Sequence, residues 1–273
     1  MRAVLTSALA ALLCVTLALP VWANARHTVL MDVLRINELT AILHAEGLAF
    51  GESLNIDWLD GRGGAAWNQQ VARIYDRERL AEGIRAGLEP SVTGDTLETA
   101  IEFFASDLGQ RVLTLENSAR EAMADAQIEE AARARHAQIS GTNDPRLAQI
   151  ARMIDAGDLI NRNVTSALNS NVQFMRALVD GGLYEMSEDE ILSDVLAERD
   201  SIEADTTGWI YAFLLLAYSP LTLEELTAYA DFSETRAGKA LNAGFFAGFD
   251  PLYADISYAL GRAMVLNMAA EEL

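Results

Sequence analysis

Beyond residue 25, the apolar residues of this chain recur at helical spacing in segment after segment and almost nowhere alternate. That regularity excludes most folds. Alternating β-branched runs closed by Asn-Gly or Asp-Gly, the mark of hairpins, are nearly absent. Residues 32–45 carry Val33, Leu34, Ile36, Leu39, Ile42 and Leu43 as one broad stripe. Residues 65–88 read as a single helix with Trp67, Val71, Ile74, Tyr75, Leu80 and Ile84 inward, closed by Pro90. Leu97, Ala100, Ile101, Phe104 and Leu108 continue the pattern. An Ala-rich helix follows over residues 107–137, with Glu116–Arg120 and Glu129–Arg133 as favourable i, i+4 ion pairs. Further helices are predicted over residues 146–156, 161–179, 189–217, 223–233, 236–246 and from 252 onward. The stretch from Trp209 to Tyr218 is apolar all round, which predicts the most buried helix of the fold. The expected class is all-α, a multi-helix bundle.

Punctuation divides the bundle. Residues 46–64 read as irregular, with Gly61, Gly63 and Gly64 marking a loop, and residues 140–145 (Ser-Gly-Thr-Asn-Asp-Pro) give the strongest boundary. At the other extreme stands the N-terminus. Arg2 is followed by an apolar run over residues 4–19, Pro20 breaks it, and Ala23-Asn24-Ala25 supplies a small-x-small end. Residues 1–25 read as a secretory signal peptide, which predicts a periplasmic or secreted protein with no stable membrane insertion after cleavage. Cys14 is the only cysteine, and Leu13 stands where a lipobox needs a small residue. The mature chain therefore has neither a disulfide nor a thiolate metal site. The full sequence's net charge of −20 opposes binding to nucleic acid and to anionic lipid, both polyanions, and permits cationic partners.

Two segments match at an offset of 129 residues, 93–112 and 222–241. Leu97 pairs with Leu226, Phe103 with Phe232, Ser106 with Thr235, and Gly109 with Gly238. The shared pattern, Phe-x-x-[Ser/Thr]-x-x-Gly after an amphipathic helix, describes a corner between two helices. Thr222 with Glu225 forms a capping box, and Asp95 with Glu98 is the candidate for the other copy. Ser106 and Thr235 then cap the second helix, Asp107 suits its dipole, and Gly109 and Gly238 permit close backbone approach. Phe103 and Phe232 plug the corners. A weaker echo links residues 41–48 with 151–159, each a helix followed by a short turn. The expectation is two related helical halves, 26–142 and 143–273, packed face to face.

Phe103-Phe104-Ala105-Ser106-Asp107-Leu108-Gly109 resembles the motif of the secreted bacterial domain-of-unknown-function family 2059, an aromatic pair followed by x-Ser-Pro-x-Gly. Asp107 replaces the proline, and the second copy carries Thr235 and Arg236 for Ser-Pro. The resemblance implies an exported, all-helical protein. It brings no activity and no catalytic residues.

Chemistry is sparse. His27, His44 and His136 stand in no zinc-binding spacing, so no metal or cofactor is expected. There is no Gly-x-Ser-x-Gly, no Ser-x-x-Lys and no phosphate loop. Asp57, Trp58 and Asp60 read as an acidic loop around one aromatic, a candidate pocket for a small cation such as a polyamine. Glu52, read as a lone acid at a helix end, is the candidate for a carboxylate-dependent peptidoglycan hydrolase or lyase. The leading expectation is a non-catalytic interaction or binding module of the cell envelope, its partner an envelope protein or a small cationic ligand.

Overall fold

The computed structural model describes residues 25–271. The predicted signal peptide lies outside the described residues except for its last position. Within them the fold is all-α, and no strand occurs. Residues 25–33 are helical (α1). There follow α2 (Ile36–Leu59), α3 (Gly64–Ile74), α4 (Arg77–Ser91), α5 (Gly94–Ala105), α6 (Asp107–Ala122) and α7 (Ala126–Ile139). Then come α8 (Pro145–Gly157), α9 (Leu159–Asp180), α10 (Glu188–Ala197), α11 (Arg199–Tyr218), α12 (Leu223–Glu234) and α13 (Arg236–Glu271).

The longest helix, α13, organises the bundle and packs most extensively against α9 and α4. Its crossing with α4 is a backbone contact. A Cβ built on Gly87 would lie 2.2 Å from the Gly248 nitrogen and 2.3 Å from the Gly244 oxygen. The main apolar clusters draw on distant parts of the chain. One joins Leu30, Ile84 and Phe104 to Phe232 and Leu241. A second joins Leu43, Trp67 and Leu80 to Ile256 and Leu260. A third joins Val112 and Ala119 to Ile150, Leu214 and Leu226.

Several boundaries differ from the sequence reading. The irregular segment 46–64 is helical as far as Leu59, and only residues 60–63 are loop. Gly47 and Gly51 lie on the buried face of α2, against the Tyr75 ring and the Val71 side chain. They are contact points, which is why a loop-like composition folds as helix. The single helix over 65–88 is two, because Asp76 accepts from the Arg79 backbone N–H at 3.0 Å and starts α4 afresh. Pro90 lies inside α4, one residue before its end. The Ala-rich helix breaks before Ala126, where the Asp125 side chain caps the Gln127 N–H at 2.8 Å. Residues 189–217 divide between α10 and α11. Residues 236–271 form one helix in spite of Pro251, whose cost is offset by packing along its length. Trp209, Tyr211 and Phe213 are only half-buried, so the apolar stretch of α11 is not the deepest in the fold. The echo fails at its first copy, since residues 41–48 run uninterrupted within α2.

Candidate ligand-binding cleft

The site begins at the helix corners. Between α5 and α6, the Ser106 hydroxyl donates to the Phe103 carbonyl at 2.5 Å and accepts from the Gly109 N–H at 3.1 Å. Between α12 and α13, the Thr235 hydroxyl donates to the Phe232 carbonyl at 2.6 Å and accepts from the Gly238 N–H at 3.0 Å. Each glycine is required by the same crowding. A Cβ at Gly109 would sit 2.2 Å from the Phe103 oxygen, and one at Gly238 would sit 2.3 Å from the Phe232 oxygen. The six residues read as a structural motif thus make one corner twice, with matching bonds. The capping box at Thr222 and Glu225 is formed. In the first copy Asp95 and Glu98 do not form the box. Thr93 caps α5 with Thr96, whose hydroxyl accepts from the Thr93 N–H at 3.1 Å, while Glu98 pairs with Arg26.

These corners aim α6 and α13 along a shared cleft. Glu116 and Arg120 stand one turn apart on α6. Tyr218 and Tyr229 both donate to Glu116 Oε1, at 2.5 and 3.1 Å. Arg120 holds Glu46 of α2 in a two-pronged ion pair, at 2.7 and 2.9 Å. The expected i, i+4 pair of Glu116 and Arg120 therefore does not form, because both residues turn inward to partners far along the chain. The Glu129–Arg133 pair does form, at 2.7 Å. Burial pushes the Glu116 carboxyl above its ordinary value, against the opposing pull of the two tyrosine hydroxyls. Burial beside that carboxyl raises both Tyr218 and Tyr229.

On the opposite wall α13 presents Asn242, Phe245, Phe249 and Tyr253, over roughly 16 Å of helix at 1.5 Å per residue. Phe245 and Phe249 stack at 5.9 Å. From α9, Asn163, Ser166, Ala167 and Ser170 form a small, polar stripe. From α2 come Leu39, Leu43 and Glu46. Together they enclose a cleft of about 660 Å³. It adjoins a cavity of about 270 Å³ lined by Phe104 of the first corner and Phe232 and Gly238 of the second. Glu116, Arg120, Phe213 and Asn242 face both spaces. Such dimensions and such a mixed lining suit a small organic ligand.

The residues singled out for chemistry lie elsewhere. Glu52 is in the middle of α2, not at a helix end, and is exposed. It accepts a long hydrogen bond from Asn55 at 3.3 Å and lines neither space. Asp57 and Trp58 belong to the last turn of α2, not to a loop. The Trp58 ring meets Phe174 edge-on at 6.2 Å, and Asp60, at the helix terminus, pairs with Arg62 at 3.0 Å. Trp58 stays 37 % exposed, while one of the two carboxylates is engaged in a local ion pair. Among the described residues no group of three His, Asp or Glu side chains is placed to hold a metal. What sequence reasoning missed is Glu116 and Arg120. The signal was present: Glu116 follows Val112 by four residues and Leu113 by three, a charge set on a buried stripe.

No curated protein and no solved structure matches the chain. Residues 78–138 match the model of a bacterial family described as "Uncharacterized protein conserved in bacteria (DUF2059)". The matched segment runs from α4 into α7 and contains the first corner, Glu116 and Arg120. The family resemblance read from Phe103 to Gly109 is met over that segment, which is similar to this family of unknown function.

Proposed function

We propose that this protein is an exported, non-catalytic binding module of the bacterial cell envelope that takes a small organic ligand into the cleft between α2, α6, α9 and α13. One observation carries the binding part: a cleft of about 660 Å³ with an aromatic wall, into which a hydrogen-bonded carboxylate and an ion pair are set. Export rests on the sequence of residues 1–25, a short apolar run with a small-x-small end. The hydrolase alternative loses support, because Glu52 faces solvent away from the cleft. Native mass spectrometry of the chain purified from a periplasmic fraction tests both parts. The expected species starts after Ala25 and carries a releasable small molecule or binds one on screening. A cytoplasmic protein retaining Met1 overturns export. Unchanged small-molecule binding in Ala167→Trp, which fills the cleft, overturns its location.

A further inference from the structure

We propose that the cleft selects an organic cation, an ammonium or guanidinium on an apolar body, with Glu116 as its counter-charge. This rests on the cleft being the ligand site, and it adds the chemistry of the ligand. Charges and unused hydrogen-bonding atoms in the lining set the class of ligand. Arg120 spends Nε and Nη2 on the two Glu46 oxygens, so that pair is already neutral as a unit. Among the described residues Glu116 has no ion-pair partner. Its Oε1 accepts two neutral tyrosine hydroxyls, and among the described residues no donor reaches its Oε2. The lining therefore offers one uncompensated negative charge, in surroundings where an incoming cation is worth more than in water.

The rest of the lining favours the same class. Phe213, Phe245 and Phe249 line the cleft with aromatic surface that suits an apolar body and a positive head. Phe246, on the same wall, already has the Arg162 guanidinium 5.3 Å from its ring centre, a cation held by an aromatic within the chain itself. The hydroxyls of Tyr75 and Tyr253 have no hydrogen-bond partner among the described residues and are free to accept from an ammonium. A net charge of −20 draws cations toward the protein and repels anions. An anionic amphiphile of the same shape would meet Glu116 with no unpaired cation among the lining residues.

Isothermal titration calorimetry of the full chain with octylamine, octanol and octanoate tests the assignment. Octylamine is expected to bind at least about tenfold more tightly than either of the others. Glu116→Gln, which keeps an oxygen for both tyrosines, should remove that preference and leave octanol binding unchanged. If Glu116→Gln does not fold, the ranking of the three compounds on the native chain decides alone. A short leucine-rich peptide amidated after a C-terminal lysine separates the sources. Tighter binding than octylamine identifies a peptide side chain as the cation, and weaker binding a free amine, both within the proposal. Equal binding of all three compounds, or a preference for octanoate, overturns the cation assignment while the cleft stands as a site. Binding of none of them, with Ala167→Trp indistinguishable from the native chain, overturns the cleft itself.

Discussion

The rings of Phe103 and Phe232 lie 3.9 Å apart and within 11° of parallel, so the plug of each helix corner is also the plug of the other. Phe104 meets Phe232 edge-on at 5.4 Å, and Tyr229 stacks on Phe103 at 5.7 Å. Through Tyr229 the aromatic cluster reaches the Glu116 carboxylate. The corner motif therefore supports the wall of the cleft as well as turning the chain. Phe232 is buried and Phe103 half-buried, so Phe232→Ala should cost about 3 kcal/mol and Phe103→Ala less. In a double-mutant cycle by urea denaturation the pair should couple by about 0.5–1.5 kcal/mol. Strict additivity would show that the stack contributes nothing beyond burial.

Both corners put one hydroxyl to the same use, which makes them interchangeable. Ser106→Ala and Thr235→Ala should each destabilise by about 1 kcal/mol, while Ser106→Thr should be close to neutral, because Thr235 already makes the equivalent bonds. Gly109→Ala is the severe change. Its methyl would meet a backbone carbonyl, which cannot rotate away, and a loss of more than about 2 kcal/mol is expected. Equal stability of Gly109→Ala and the native chain, read from urea midpoints, would mean that the glycine is not needed for close approach.

Much of this fold was legible because its helices are amphipathic and its corners carry their own chemistry. The α5 stripe of Leu97, Ala100, Ile101 and Phe104 is buried as its spacing predicted. What the pattern hid has two physical sources. Small residues at helix contacts imitate loops: Gly47 and Gly51 lie in the part of α2 read as irregular, and Gly248 and Pro251 lie in the gap left between the two helices that are one in α13. Side chains in favourable local register were also assigned local partners. Glu116 and Arg120 are spaced for a surface pair, yet their partners are Tyr218, Tyr229 and Glu46, at separations of 102, 113 and 74 residues. Periodicity shows which face a residue occupies, whereas the partner across the core depends on how the helices assemble.

The α4–α13 crossing makes a second stability prediction, independent of the corners. Gly87 contacts the backbone of α13, so Gly87→Ala has nowhere to place its methyl without separating the two helices. A loss of about 3 kcal/mol or more is expected in urea denaturation, at the upper end for overpacking, because the opposing atoms are main chain. Gly83→Ala should cost less, since its nearest contact is the Leu252 side chain at 3.0 Å, which can shift. Equal effects at the two positions would mean that the crossing is looser than this geometry.

Glu116 links stability to pH with a definite sign. Its folded-state pKa is raised above the ordinary 4.5, so the native state holds this proton more tightly than the unfolded chain does. The stability it contributes is complete below the unfolded value and is lost as pH rises from there through the folded value. The groups facing it are Tyr218 on α11 and Tyr229 on α12, both neutral in that range, and the Arg120–Glu46 ion pair. Glu225 and Glu234 act in the opposite sense. Hydrogen bonds from the Thr222 backbone and from Arg152 hold them below the ordinary value, so they lose stability as pH falls. The measurement is therefore a difference: urea stability of the native chain minus that of Glu116→Gln, from pH 4 upward. The native chain should fall progressively behind the variant as pH increases, because only the native chain must bury a charge. Added octylamine should reverse that trend by supplying the missing counter-charge. A difference independent of pH would show that Glu116 is as well solvated in the cleft as in the unfolded chain, and the electrostatic basis for cation selection would go with it.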